Sequence, residues 1–145
     1  MLKVKQIHAV DCYPIRQQIL WRHKKLENCG IEIDEQEGSF HLGVFLNNEL
    51  VCIGSFFKQK NVKFSEQNQY RLRAMATLTK AQKQGAAKAL LDFAFVSLQN
   101  QNQELLWCDA RVIALGFYEK MGFTKHGDMY EIPIIGPHYL MRKAV

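Results

Sequence analysis

Between residues 82 and 88 the chain reads QKQGAAK, the opening of a helix that runs on through KALLDFAF to about residue 95. Amides and small side chains stand where a plain helix carries longer ones. A helix N-terminus offers unpaired backbone N–H groups and the positive end of the peptide dipole. With Gln82, Gln84, Gly85, Ala86 and Ala87 there, a pyrophosphate has room to reach those donors, and Lys83 and Lys88 add attraction for its charge. Gly85 also permits a left-handed backbone. A second reading is purely structural. Thr79 with Gln82 three residues on fits a capping box, and the alanines favour helix. Taken alone, the stretch leaves both readings open.

Few other residues form a chemical pattern. Cys12, Cys29, Cys52 and Cys108 are far apart, with no C-x-x-C pair and no histidine at zinc spacing, so no metal is expected and buried reduced thiols are. His8, His23, His41 and His126 stand outside any motif. The formal charge of +5 favours an anionic partner, yet the basic residues are scattered and not interleaved with exposed aromatics, which argues against nucleic acid. No apolar run approaches the roughly 20 residues of a membrane span. The start of the chain has no signal-peptide pattern, which together with reduced thiols sets the expectation of a cytoplasmic protein.

The elements that must hold these residues follow from the pattern. Length fits one domain, residues 1–145. KVKQIH (3–8) reads as a strand, and CYPIRQQILWRHKKLENCG (12–30) as a helix ended by Gly30. FHLGVFL and ELVCIGSFFK are strands joined at Asn47 and Asn48, residues that tolerate positive φ in a hairpin turn. QYRLRAMATL (69–78) is a further strand. Ala87, Leu90, Leu91, Ala94 and Leu98 then fall on one helical face. ELLWCDA is a strand, RVIALGFYEKMG a short helix closed by Gly122, and FTKHGDMYEI and HYLMRK a final strand pair. The order predicts an α/β (α+β) fold, a mixed sheet covered by helices.

RAMATLTKAQKQGAAKALL resembles the acetyl-CoA-binding signature of the GNAT superfamily of N-acetyltransferases, a strand and turn followed by Q/R-x-x-G-x-G/A at a helix start. The matching residues here are Gln82, Gly85 and Ala87. ALGFYEKMGF (114–123) resembles the second hallmark of that family, an Ala-x-x-Phe-Tyr-x-x-x-Gly-Phe helix beside the cofactor thiol. The two occur in family order, and the likeness covers about residues 40–145, more loosely the first helix. Lys83 departs from a glycine found in many members, and Asp109 from an expected asparagine.

The resemblance implies a mostly antiparallel twisted sheet splayed between its two central strands. It also implies acetyl-CoA as acetyl donor and an amine of a small molecule or peptide as acceptor; a non-catalytic acyl-CoA sensor is the alternative. Met75 and Thr77 would present backbone groups to the pantetheine arm, with an N–H of Met75 or Ala76 facing the thioester carbonyl. Residues 82–88 would take the diphosphate. Tyr118 is the expected general acid for the leaving thiolate, and His138 or Glu131 the expected base. Trp107, Asp109 and Arg111 would line the acceptor pocket, with Arg22 and His23 on the first helix closing it; a surface Asp109–Arg111 pair is the alternative. Arg71 and Arg73 share a strand face, either meeting an acidic acceptor or bordering the sheet. A homodimer is compatible with the sequence, which does not fix oligomeric state.

Overall fold

The computed structural model describes all 145 residues. Seven strands form one mixed sheet: β1 (Leu2–Ile7), β2 (Phe40–Leu46), β3 (Glu49–Lys58), β4 (Gln69–Thr77), β5 (Leu105–Arg111), β6 (Thr124–Ile132) and β7 (Gly136–Ala144). Their spatial order is β1-β2-β3-β4-β5-β7-β6, antiparallel throughout except for the parallel β4–β5 pair. The expected mixed, mostly antiparallel architecture is thus the observed one. Helix α2 (Ala86–Asn100) makes the crossover between β4 and β5, as a parallel connection requires.

The β2–β3 turn places Asn47 and Asn48 at φ 50° and 67°, the left-handed pair that matches strand twist. One face of the sheet carries α2, whose Leu90, Leu91, Ala94 and Leu98 are buried against Leu42, Val44, Phe56, Leu72 and Leu106. Helix α3 (Leu115–Lys120) packs on that same face and ends with Gly122 at φ 95°. The opposite face receives α1 (Ala9–Ile15), with Cys12 and Ile15 set on Ile53 and Ala76.

The first helical segment differs from expectation. It starts at Ala9, three residues early, where His8 and Asp11 form a capping box. Pro14 lies inside it, and because proline has no N–H one helical bond is missing. The chain continues as a π-helical turn, Arg16–Leu20, closed by the Trp21 N–H donating to the Arg16 carbonyl at 2.9 Å. After a break at Trp21 only a 3-10 turn, Leu26–Asn28, follows. Arg16 is fully buried. Its guanidinium donates to both Asp34 carboxylate oxygens (2.8 and 2.9 Å), to Ser55 Oγ (2.9 Å) and to the Cys29 carbonyl (2.9 Å). This network straps the loop between the first helix and β2 onto the sheet.

Candidate active site

Pairing between β4 and β5 stops early. It spans Gln69↔Leu105, Tyr70↔Leu106 and Arg71↔Trp107 only. Beyond that point Leu72–Thr77 stays on β3, while Cys108–Arg111 stays on β7. The sheet therefore opens between its central strands, with one strand end on each bank.

A bulge shapes the β4 bank. Ser55 pairs with Arg73 but Ile53 pairs with Ala76, so β4 holds one extra residue, and Ala74 takes φ 54°. The Leu78 N–H donates to the Val51 carbonyl at 2.8 Å, and Ala76 sits opposite Ile53. Backbone direction alternates along a strand, so Thr77 and Met75 turn their amide and carbonyl groups towards the opening. Ala76 turns towards β3, which removes it as the donor facing the opening and leaves Met75.

The turn after β4 also departs from expectation. Thr79–Ala81 is a 3-10 turn, Gln82 is extended, and α2 begins only at Ala86, so no Thr79–Gln82 capping box forms. Lys83 (φ 62°) and Gly85 (φ 87°) are both left-handed. Residues alternating into that region aim successive N–H groups into one concavity, a backbone geometry suited to anions. A Cβ built on Gly85 would meet nothing nearer than a Leu2 methyl at 4.0 Å, so the loop mouth is open. Lys83 has no carboxylate partner, whereas Lys88 is tied to Asp92 and Lys80 to Glu49, both at 2.6 Å. The left-handed φ of Lys83 explains why glycine suits that position in the resembled signature.

Tyr118 lies on the α2 face, near the Cys52 and Cys108 thiols and in edge contact with Phe117 and Phe123. Its hydroxyl has no partner within the protein and is not sealed from solvent. Burial, with smaller contributions from Cys108 and Cys52, raises its pKa well above the ordinary tyrosine value. The group is a neutral donor across the physiological range.

On the other face, paired strands bring Arg71, Trp107, Asp109, Arg111, His138 and Tyr130 together. Arg71 bonds Asp109 at 2.7 Å, and the Tyr130 hydroxyl donates to the other Asp109 oxygen. Asp109 therefore pairs with Arg71 and not with Arg111. Trp107 is 4% exposed, lies under the Arg71 guanidinium at 4.8 Å, and spends its indole N–H on the Gln59 carbonyl at 2.9 Å. It supports Arg71 rather than walling an open pocket.

His138 is buried, stacked on Tyr130, and its Nδ1 lies 2.7 Å from the Gly136 carbonyl. A carbonyl only accepts, so Nδ1 carries a proton, and in the neutral ring the lone pair is on Nε2. Glu131 pairs opposite Pro137, so it alternates to the other face, where it is exposed and away from this cluster. Arg22 and His23 lie in the turn beyond the helix, exposed, with Arg22 Nε donating to the Gln18 carbonyl at 2.9 Å. No group of three His, Cys, Asp or Glu side chains is placed to hold a metal. Cys108 is sealed in the core, and burial pushes its thiol pKa far up, the reverse of a nucleophile's environment. Sequence reading missed Tyr130 and the Ala74 bulge. The visible signal was a charged residue inside each of two strands, Arg71 and Asp109, but nothing in the sequence announced that these strands are neighbours.

A family model described as an acetyltransferase (GNAT) domain matches residues 17–135. The chain belongs to the GNAT acetyltransferase family. It is 41% identical to an uncharacterised N-acetyltransferase, YitI of Bacillus subtilis, over all of this chain and 97% of that one. Solved structures share the fold at low identity. ElaA of Escherichia coli superposes with a TM-score of 0.77 at 15% identity, covering 99% of both chains. An aminoglycoside 6'-N-acetyltransferase complexed with coenzyme A superposes at 0.77 and 12% identity, covering 98% of this chain and 96% of that one. In this GNAT chain the hallmark segments QKQGAA and FYEKMGF flank the sheet opening.

Proposed function

We propose that this protein transfers the acetyl group of acetyl-CoA to a primary amine by direct attack. The observation that carries the reading is the half-unzipped β4–β5 pair, with Met75 and Thr77 backbone groups turned outward on one bank and the 82–85 loop, left-handed at Lys83 and Gly85, at its end. An extended pantetheine arm fits the first feature and a diphosphate the second. That a protein of this fold is complexed with coenzyme A supports coenzyme A as the ligand class. Acetyl-CoA supplies an activated acyl group on a thiol.

The chain's own residues supply the rest. The Met75 N–H faces the opening and is preorganised to stabilise developing negative charge on a carbonyl oxygen, a contribution of about 3 kcal/mol for one such donor. Tyr118, neutral and with an unused hydroxyl, donates a proton to the departing thiolate. His138 Nε2, on the opposite face, accepts the proton that the attacking amine must lose, directly or through water. Acid and base in this scheme come from opposite faces of the sheet. Burial of Cys108 and its raised thiol pKa speak against a covalent route through that thiol and so favour direct attack.

Calorimetry with acetyl-CoA, followed by thiol release in the presence of an amine panel, tests this. Binding without turnover for any amine would favour a non-catalytic sensor of acyl-CoA. No binding would remove both readings.

A further inference from the structure

The face of the sheet that carries His138 holds three arginines near one another, and they are unequally neutralised. Arg16 is matched by Asp34 at 2.8 and 2.9 Å, and Arg71 by Asp109 at 2.7 Å. Arg73 is not. Its single polar contact is Glu32 Oε1 at 3.5 Å, beyond a good hydrogen bond, from a side chain that is 79% exposed while that of Arg73 is only 27% exposed. Burial, then the nearby charge of Arg71, lowers the Arg73 pKa, so its cation is held there at a cost that a closer anion would relieve.

The position of Arg73 is what gives this meaning. Arg71 is the last β4 residue paired with β5, and Arg73 is the next on the same face, immediately before the bulge at Ala74. It stands at the head of the opening, on the β4 bank. Arg111 occupies the corresponding face on the β5 bank and has no carboxylate partner. A guanidinium fork with unused donors matches a carboxylate bidentately.

We propose that the acceptor is an amine that also carries a carboxylate, held by Arg73 in place of Glu32 so that its amino group lies at the opening beside Met75. The assignment rests on the acetyltransferase reading and narrows its substrate class. It excludes polyamines as preferred acceptors, since two under-neutralised arginines would repel them.

The test is a matched panel: glycine, glutamate, β-alanine and γ-aminobutyrate, each beside its carboxamide, with spermidine as the cationic control. Wild-type enzyme should favour a carboxylate over its carboxamide by roughly ten- to a hundredfold in kcat/KM, the scale of one charged hydrogen-bonding site. In Arg73→Gln that ratio should fall towards one. Glu32→Gln alters an exposed loop residue and should lower KM for carboxylated amines severalfold by removing the resident competitor. Equal use of acid and carboxamide, preference for spermidine, transfer to no carboxylated amine, or an unchanged or raised KM in Glu32→Gln would each overturn the proposal. Acetyl-CoA calorimetry on the same preparations separates the two levels. Heat of binding without carboxylate preference sinks this inference alone, and absence of binding sinks the acetyltransferase reading.

Discussion

At the scale of single residues, Tyr118 and Gly85 make the most exposed claims. Tyr118→Phe removes one hydroxyl from a packed ring, so the fold should survive while kcat falls about a hundredfold, the lower range for a lost general acid. KM for acetyl-CoA should change little, and steady-state kinetics would show the split. Because the Tyr118 pKa is raised, the acid stays loaded as pH rises. Activity should climb with deprotonation of the acceptor amine and show no tyrosine-dependent fall below about pH 10. A falling limb near pH 8 that vanishes in the Phe variant would contradict this. Gly85→Val faces open space but must hold φ near 87°, strained for a β-branched residue. Acetyl-CoA affinity should drop at least tenfold by calorimetry, with the helical circular dichroism signal largely kept; unchanged affinity would leave the loop as packing only. Much of this was readable beforehand, because small residues and Tyr118 sit in short local motifs. Glu131 and Trp107 were misjudged since strand parity and burial decide their direction, and neither is local.

Elements carry a different lesson. The strands and their succession along the chain followed from alternation and turn chemistry, though not their neighbours in the sheet, and Asn47–Asn48 adopts the geometry its residue types favour. Two elements escaped. Pro14 and the π-helical turn ended the first helix at Leu20, although the apolar spacing ran on to Leu26. In β4 the extra residue at Ala74 switches which side chains point which way, so Ala76, not Met75, joins Arg73 on the α1 face, and period-two counting fails across it. The loop before β2 hangs on the buried Arg16–Asp34 pair. Burial alone would raise the Asp34 pKa, but hydrogen bonds from Arg16 and the Ile31 amide outweigh it and lower it. Asp34→Ala strands a sealed guanidinium, and urea unfolding should show a loss of about 3 kcal/mol. A loss under about 1 kcal/mol would mean that water or Ser55 takes over the charge.

For the molecule as a whole, four buried thiols make alkaline pH a weak point. Burial pushes Cys12 and Cys52 up to about 11, and Cys108 higher still. Unfolded thiols ionise near about 8.5, so their contribution is intact below that pH and is lost as pH rises towards 11. Melting temperature should hold from pH 7 to about 8.5 and then fall, less steeply in Cys12→Ala. A flat profile through pH 11 would show the thiols to be solvated. Apart from a shared core, the links between β1–β4 and β5–β7 gather at the base of the opening: three backbone pairs, the Arg71–Asp109 bridge, Trp107 on the Gln59 carbonyl, Arg142 on Glu66, and the Asn68–Glu104 contacts. Mechanically these are two leaves on a short hinge, and whatever extended arm enters between them is a keystone, supplying the missing rungs from Leu72 to Thr77. The empty protein should therefore breathe along that seam, and deuterium uptake at Met75 and Thr77 should slow once acetyl-CoA is bound, while uptake in the β2–β3 hairpin stays as it was.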